Sequence, residues 1–142
     1  MLRRIMLLCL APFLVLVISA AAQKPTIKKT PISYTSPASG QQMYTHYCAV
    51  CHGKDGKGDG PAASALKDPV TDLTTLTRRN HGEFPSLRVA SVLRGQAQIG
   101  AHGTAEMPIW GPLFWKMSGG SSGEVQQRIA NLSKYLESMQ VK

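Results

Sequence analysis

Apolar positions recur along the 142-residue chain in patterns that predict helices and no strands. The clearest pattern is Val125, Ile129, Leu132, Leu136 and Met139, at steps of four, three, four and three, which is one face of an α-helix. Ser121 and Glu124 stand ahead of it as a capping box, so a helix is predicted from that box to Met139. A second helix follows Ser39 and Gln42, another box, and carries Gly40, Met43, Tyr44, Tyr47 and Cys48 on one face. Pro85 to Arg94 starts with a helix-compatible proline and stops at Gly95, which predicts a third. Phe114 and Trp115 mark a further short helical piece. Gly53 to Gly60 (GKDGKGDG) is turn chemistry throughout, and Gln96 to Met107 holds two glycines and no period. No internal repeat is present. The pattern predicts an all-α domain of three to five helices joined by long loops.

The N-terminus has a different texture. Arg3 and Arg4 precede an apolar run from Ile5 to Ile18, and Ser19-Ala20-Ala21-Ala22 closes it. These are the parts of a secretory signal peptide, residues 1–22, with cleavage expected after Ala22. The alternative is an uncleaved anchor, since the run approaches the length of a short membrane span. Cys9 leaves with the leader if it is cut. Residues 23–38 contain three prolines and three lysines with no period, the composition of an extended linker. Residues 39–142 then suit a single domain. Losing residues 1–22 takes two of the 16 basic residues and none of the 8 acidic ones, so the mature net charge is +6. Export makes nucleic acid an improbable partner for this basic surface, and an acidic protein face remains a candidate.

The chemistry concentrates in Cys48-Ala49-Val50-Cys51-His52. This C-x-x-C-H run reads as covalent attachment of a c-type haem. Two thiols at that spacing can add to the two vinyl groups of one porphyrin edge, and His52 is then held under the iron as an axial ligand. A zinc site would take four protein ligands, and the only other cysteine is Cys9, while His46, His81 and His102 form no ligand pair. A thioredoxin-like dithiol would follow a strand, and none is predicted before Cys48. Long unstructured loops are unusual in so small a domain and make sense if they wrap a cofactor. The second loop ends in Met107-Pro108. Pro108 stiffens the chain there, and a thioether suits haem iron opposite an imidazole.

Together these residues resemble the class I c-type cytochromes of bacterial type, small mono-haem electron carriers, over essentially all of residues 39–142. Gly40 and Tyr44, eight and four positions before Cys48, are similar to the family's Gly and aromatic pair, which lets the first helix cross the last. Leu132 and Tyr135 resemble their partners. The resemblance implies the cytochrome c fold around one haem c, attached through Cys48 and Cys51, with His52 and Met107 as axial ligands. It also implies that the Pro61 carbonyl, in Gly60-Pro61, accepts the Nδ1 proton of His52. Arg78, Arg79, Asn80 and Trp110 are candidate donors to the haem propionates. His102 is the rival to Met107, with His81 behind it. The stretch from Asp68 to Arg79 resembles a loop of some bacterial members, and the lysine cluster of the mitochondrial carrier is not evident. The expected protein is a periplasmic one-electron carrier between redox proteins, monomeric and without catalysis, held at the membrane only if the leader stays. The alternatives are a haem enzyme or gas sensor with an open or labile sixth position, and a structural metal-binding module.

Overall fold

The computed structural model describes residues 32–97 and 107–141. The leader with Cys9, residues 23–31 of the linker, and His102 lie outside the described residues. Among the described residues there are helices and turns and no strand.

The first helical run is continuous but not uniform. Helix α1 (Gly40–Met43) passes into a π-helical turn over Tyr44–Cys48, and α2 (Ala49–His52) completes it. The Ser39 hydroxyl accepts from the Gln42 amide at 3.1 Å, as the capping box predicts, but the Gln42 carboxamide turns outward to accept from the Ser36 amide at 2.9 Å. At the other end of the chain, α6 (Ser122–Ser138) is capped by Ser121, which accepts from the Glu124 amide at 3.3 Å. The predicted apolar stripe is the packed face: Ile129, Leu132 and Leu136 are buried.

Helices α1 and α6 pack on each other. Gly40 makes their crossing possible, because a Cβ there would run into the Asn131 carbonyl and the Tyr135 Cβ. The Tyr44 and Tyr135 rings meet beside it, with centroids 5.4 Å apart and planes at 48°. Helix α4 (Ser86–Arg94) ends at Gly95, whose φ of 77° is the left-handed conformation that glycine adopts without strain. Helix α5 (Trp110–Met117) starts against the end of α4, with Gly111 backed onto the Arg94 carbonyl, and both helices also pack on α6. Met43, Tyr44, Phe114, Ile129 and Leu132 are at most 1% exposed. Full burial of a side chain of this size contributes about 1.5–3 kcal/mol.

Short elements fill the middle of the chain. Asp72 accepts from the amide and hydroxyl of Thr74, at 2.8 and 2.7 Å, and so caps a 3₁₀ turn over Leu73–Thr75; α3 (Leu76–Arg79) follows. Gln140 clamps this region to the C-terminus. Its carboxamide donates to the Leu73 carbonyl at 2.8 Å and accepts from the Thr77 amide at 2.9 Å.

The structure differs from the sequence reading at the linker boundary. Residues 32–38 are not free chain but a strap laid across α6. Thr35 is 1% exposed, and the Asn131 carboxamide donates to the Pro37 carbonyl at 2.9 Å. The anchor is Arg128, with no exposed surface. Its guanidinium donates to the Thr35 carbonyl (2.9 Å), to Ser118 Oγ (3.3 Å) and to the Glu124 carboxylate (2.8 and 3.2 Å), and lies 5.0 Å from the centre of the Tyr34 ring. A buried guanidinium is tolerable only with such a full set of partners.

Candidate functional site

Cys48 closes the π turn and Cys51 lies one turn further along, both as free thiols. Cys48 is buried, and its thiol is pushed up to about 12, first by burial and then by the neighbouring Cys51. Cys51 is half-buried and its thiol is also raised by burial. Neither is paired in a disulfide, and each remains available for a bond to carbon.

His52 is the last residue of α2, and the chain turns away at Gly53 with φ of 80°. The last carbonyls of a helix have no partner within it. Here the glycine-rich loop supplies them, since the amides of Gly58, Gly60 and Ala62 donate to the carbonyls of His52, Cys51 and Val50 at 2.8, 3.0 and 2.8 Å. A Cβ at Gly60 would meet the backbone of Ala49 and Cys51, so glycine is needed for this close return. The turn chemistry of residues 53–60 is therefore a cap built for the C-x-x-C-H helix.

That cap also corrects one expectation. The Nδ1 of His52 lies 3.0 Å from the Thr71 carbonyl, not on the Pro61 carbonyl. The amides on both sides of Pro61 are engaged with α2, and Pro61 itself is exposed. The strand of chain from Val70 to Leu73 takes its place, because Gly58 packs on the Val70 carbonyl and the Leu73 amide donates to the Gly56 carbonyl at 2.7 Å. With Nδ1–H donating to Thr71, Nε2 is the nitrogen free to bind a metal. Burial holds the imidazole below its usual pKa and so favours the neutral ring, while the Thr71 bond pulls the other way.

The other expected residues fall in different settings. Met107 is half-buried and packs against the core, as do Phe84, Val89, Leu113 and Met117. Pro108 and Ile109 are exposed, and Trp110 begins α5 as a buried residue. Its indole stacks on the Tyr47 ring, with centroids 5.3 Å apart and planes at 28°, and Phe114 completes the aromatic group. Arg78 and Arg79 are exposed, and Arg79 donates to the Asp72 carbonyl. The Asn80 carboxamide is turned to the Glu83 carbonyl at 2.8 Å. His81 is exposed with φ of 56°, a left-handed turn residue.

Thr71 and Arg128 are absent from the sequence reading. A backbone acceptor leaves no mark on residue type, so Thr71 was beyond reach. Arg128 offered one clue, its position four residues after Glu124 and next to Ile129 at the edge of the apolar stripe.

The donor set fits a c-type haem. It offers two unpaired thiols one helical turn apart and an adjacent imidazole with one nitrogen already engaged. Among the described residues, no group of three or more His, Cys, Asp or Glu is placed to hold a metal ion by itself. The family model described as Cytochrome c matches residues 37–140, and no curated protein matches the chain. The protein thus carries a covalently bound haem c, with Cys48 and Cys51 at the spacing that attachment requires. The matched span covers every helix described above together with the C-x-x-C-H site they enclose, and the chain belongs to the cytochrome c family.

Proposed function

We propose that the protein is an exported one-electron carrier in which His52 Nε2 and Met107 Sδ are the two axial ligands of the iron. The observation that carries this reading is the His52–Thr71 bond, which fixes the ring by Nδ1 and leaves Nε2 as the donor. Met107 supports it as an uncharged, half-buried sulfur held against the core beside a stiff Pro108. When bound, the haem supplies a metal that alternates between ferrous and ferric states. The chain's own residues do the rest. Cys48 and Cys51 fix the position of the group, His52 and Met107 fill both faces of the iron, and the apolar packing sets the polarity around it. With both positions filled, no substrate has a site on the iron, so transfer to a redox protein is the activity that follows.

Arg78 and Arg79, exposed next to the Asp72 turn, are the proposed propionate donors, with Trp110 as part of the wall. The leader places the mature protein in the periplasm, or at the outer face of the cytoplasmic membrane if it is retained. Among the described residues no helix is long and apolar enough to cross a membrane. The partners are redox proteins, and the positive net charge suits an acidic docking face.

Optical spectroscopy of purified holoprotein tests the assignment. The ferric protein should be low-spin with the weak far-red sulfur-to-iron band. Met107→Ala should abolish that band and admit carbon monoxide to the ferrous iron, while His102→Ala should leave both unchanged. High-spin bands in the parent protein, or loss of the far-red band in His102→Ala alone, would overturn it.

A further inference from the structure

We propose that residues 33–35 form a latch that holds Met107 on the iron, acting through Tyr47 and Trp110. The proposal rests on the axial role assigned to Met107. Its origin is a line of hydrogen bonds with only one consistent direction. The Tyr47 hydroxyl donates its single proton to the Ser33 carbonyl at 2.7 Å. The Thr35 hydroxyl, 2.7 Å from the same phenol oxygen, must then be the donor in that pair. The Thr35 oxygen in turn accepts from Arg128, at 3.3 Å, while the Thr35 carbonyl accepts from the same nitrogen at 2.9 Å. A guanidinium can only donate, so the chain runs one way from Arg128 through Thr35 and Tyr47 to Ser33. Each link polarises the next, and the low-dielectric surroundings strengthen all of them.

The line reaches the site at Tyr47. The Tyr47 ring is adjacent to Cys48 in sequence and stacks on Trp110, the first residue of α5 and three positions after Met107. Thr35, Tyr47, Trp110 and Arg128 are all buried. A tyrosine held at its hydroxyl cannot slide or tilt, so the indole stacked on it is also held, and with it the point where the Met107 segment enters α5. Gly95, at the end of α4, leaves room for Ile109 on the other side. The strap is thus a set of positioning residues for the sixth ligand, although none of them touches the iron.

Imidazole added to the ferric holoprotein competes with Met107 and reports how firmly it is held. Thr35→Val and Tyr47→Phe, which keep shape and lose hydroxyls, should each raise imidazole affinity about tenfold, the equivalent of one hydrogen bond lost from the closed state. Thr35→Ser should restore the parent affinity. Gln140→Ala, whose bonds lie at the other end of α6, should lower the unfolding temperature without changing imidazole affinity. Parent-like affinity in both hydroxyl variants, or an equal rise in Gln140→Ala, overturns the latch alone, provided that the far-red band belongs to Met107. A far-red band that persists in Met107→Ala overturns the axial assignment and the latch with it.

Discussion

Cys48 and Cys51 are the residues on which everything else depends, and they differ in setting. One is buried among Met43, Tyr44 and Tyr47, and the other is half-exposed at the head of the loop. Replacing either with Ala should leave at most one thioether, and the double variant should yield protein from which acid–acetone removes all haem; haem that resists extraction would contradict the attachment. These positions were legible from spacing alone, because thioether chemistry dictates both residue types and the interval between them. The partner of His52 was not, since any residue can offer a carbonyl and only the folded path of Val70–Leu73 decides which one arrives. Arg128 shows the same limit for side chains. A charged residue on an amphipathic helix reads as solvated, and its burial depends on a strap 93 positions away in sequence.

At the level of elements, the helices with a cap, a bracketing residue or an apolar pattern were legible, the short piece at Phe114 and Trp115 included, and the short turns in the middle of the chain were not. Capping boxes and apolar steps located α1 and α6, and Pro85 with Gly95 bracketed α4. The turns over Ala63–Ala65 and Leu73–Thr75 and helix α3 have too few residues to show a period. Local capping makes them, and Asp72 is the case that can be tested. Its carboxyl is held below the usual carboxylate range, first by the Thr74 hydroxyl, with the Thr74 amide, Arg79 and Arg78 adding to it. A depressed folded pKa contributes stability that is present above the unfolded pKa and lost as pH falls through the folded one. Asp72→Asn should therefore destabilise the holoprotein near neutrality and flatten its acid unfolding limb, measured by thermal melts from neutral pH into the acid range. A parallel acid limb in the variant would count against the cap. The helix crossing gives a second test. Gly40→Ala must push α1 off the Asn131 carbonyl, and overpacking of this kind costs about 1–3 kcal/mol. For a domain near 100 residues that corresponds to a fall in unfolding temperature of roughly 4 °C or more. An unchanged melt would mean that the crossing is looser than the geometry shows.

For the molecule as a whole, a chain this short with long loops buries limited apolar surface, and a covalently held haem supplies much of the missing core. The haem-free mature chain should be largely unfolded or molten, with weak near-ultraviolet dichroism and no cooperative thermal transition; a sharp transition with native-like aromatic signals would refute this. The burial of Cys48 turns that expectation into a matter of sequence in time. In the closed fold Cys48 is only 8% exposed and packs in one cluster with Met43, Tyr44 and Tyr47. Burial to this degree favours bond formation before closure. Whatever joins the cofactor to this chain is then expected to meet it while residues 40–52 are still open.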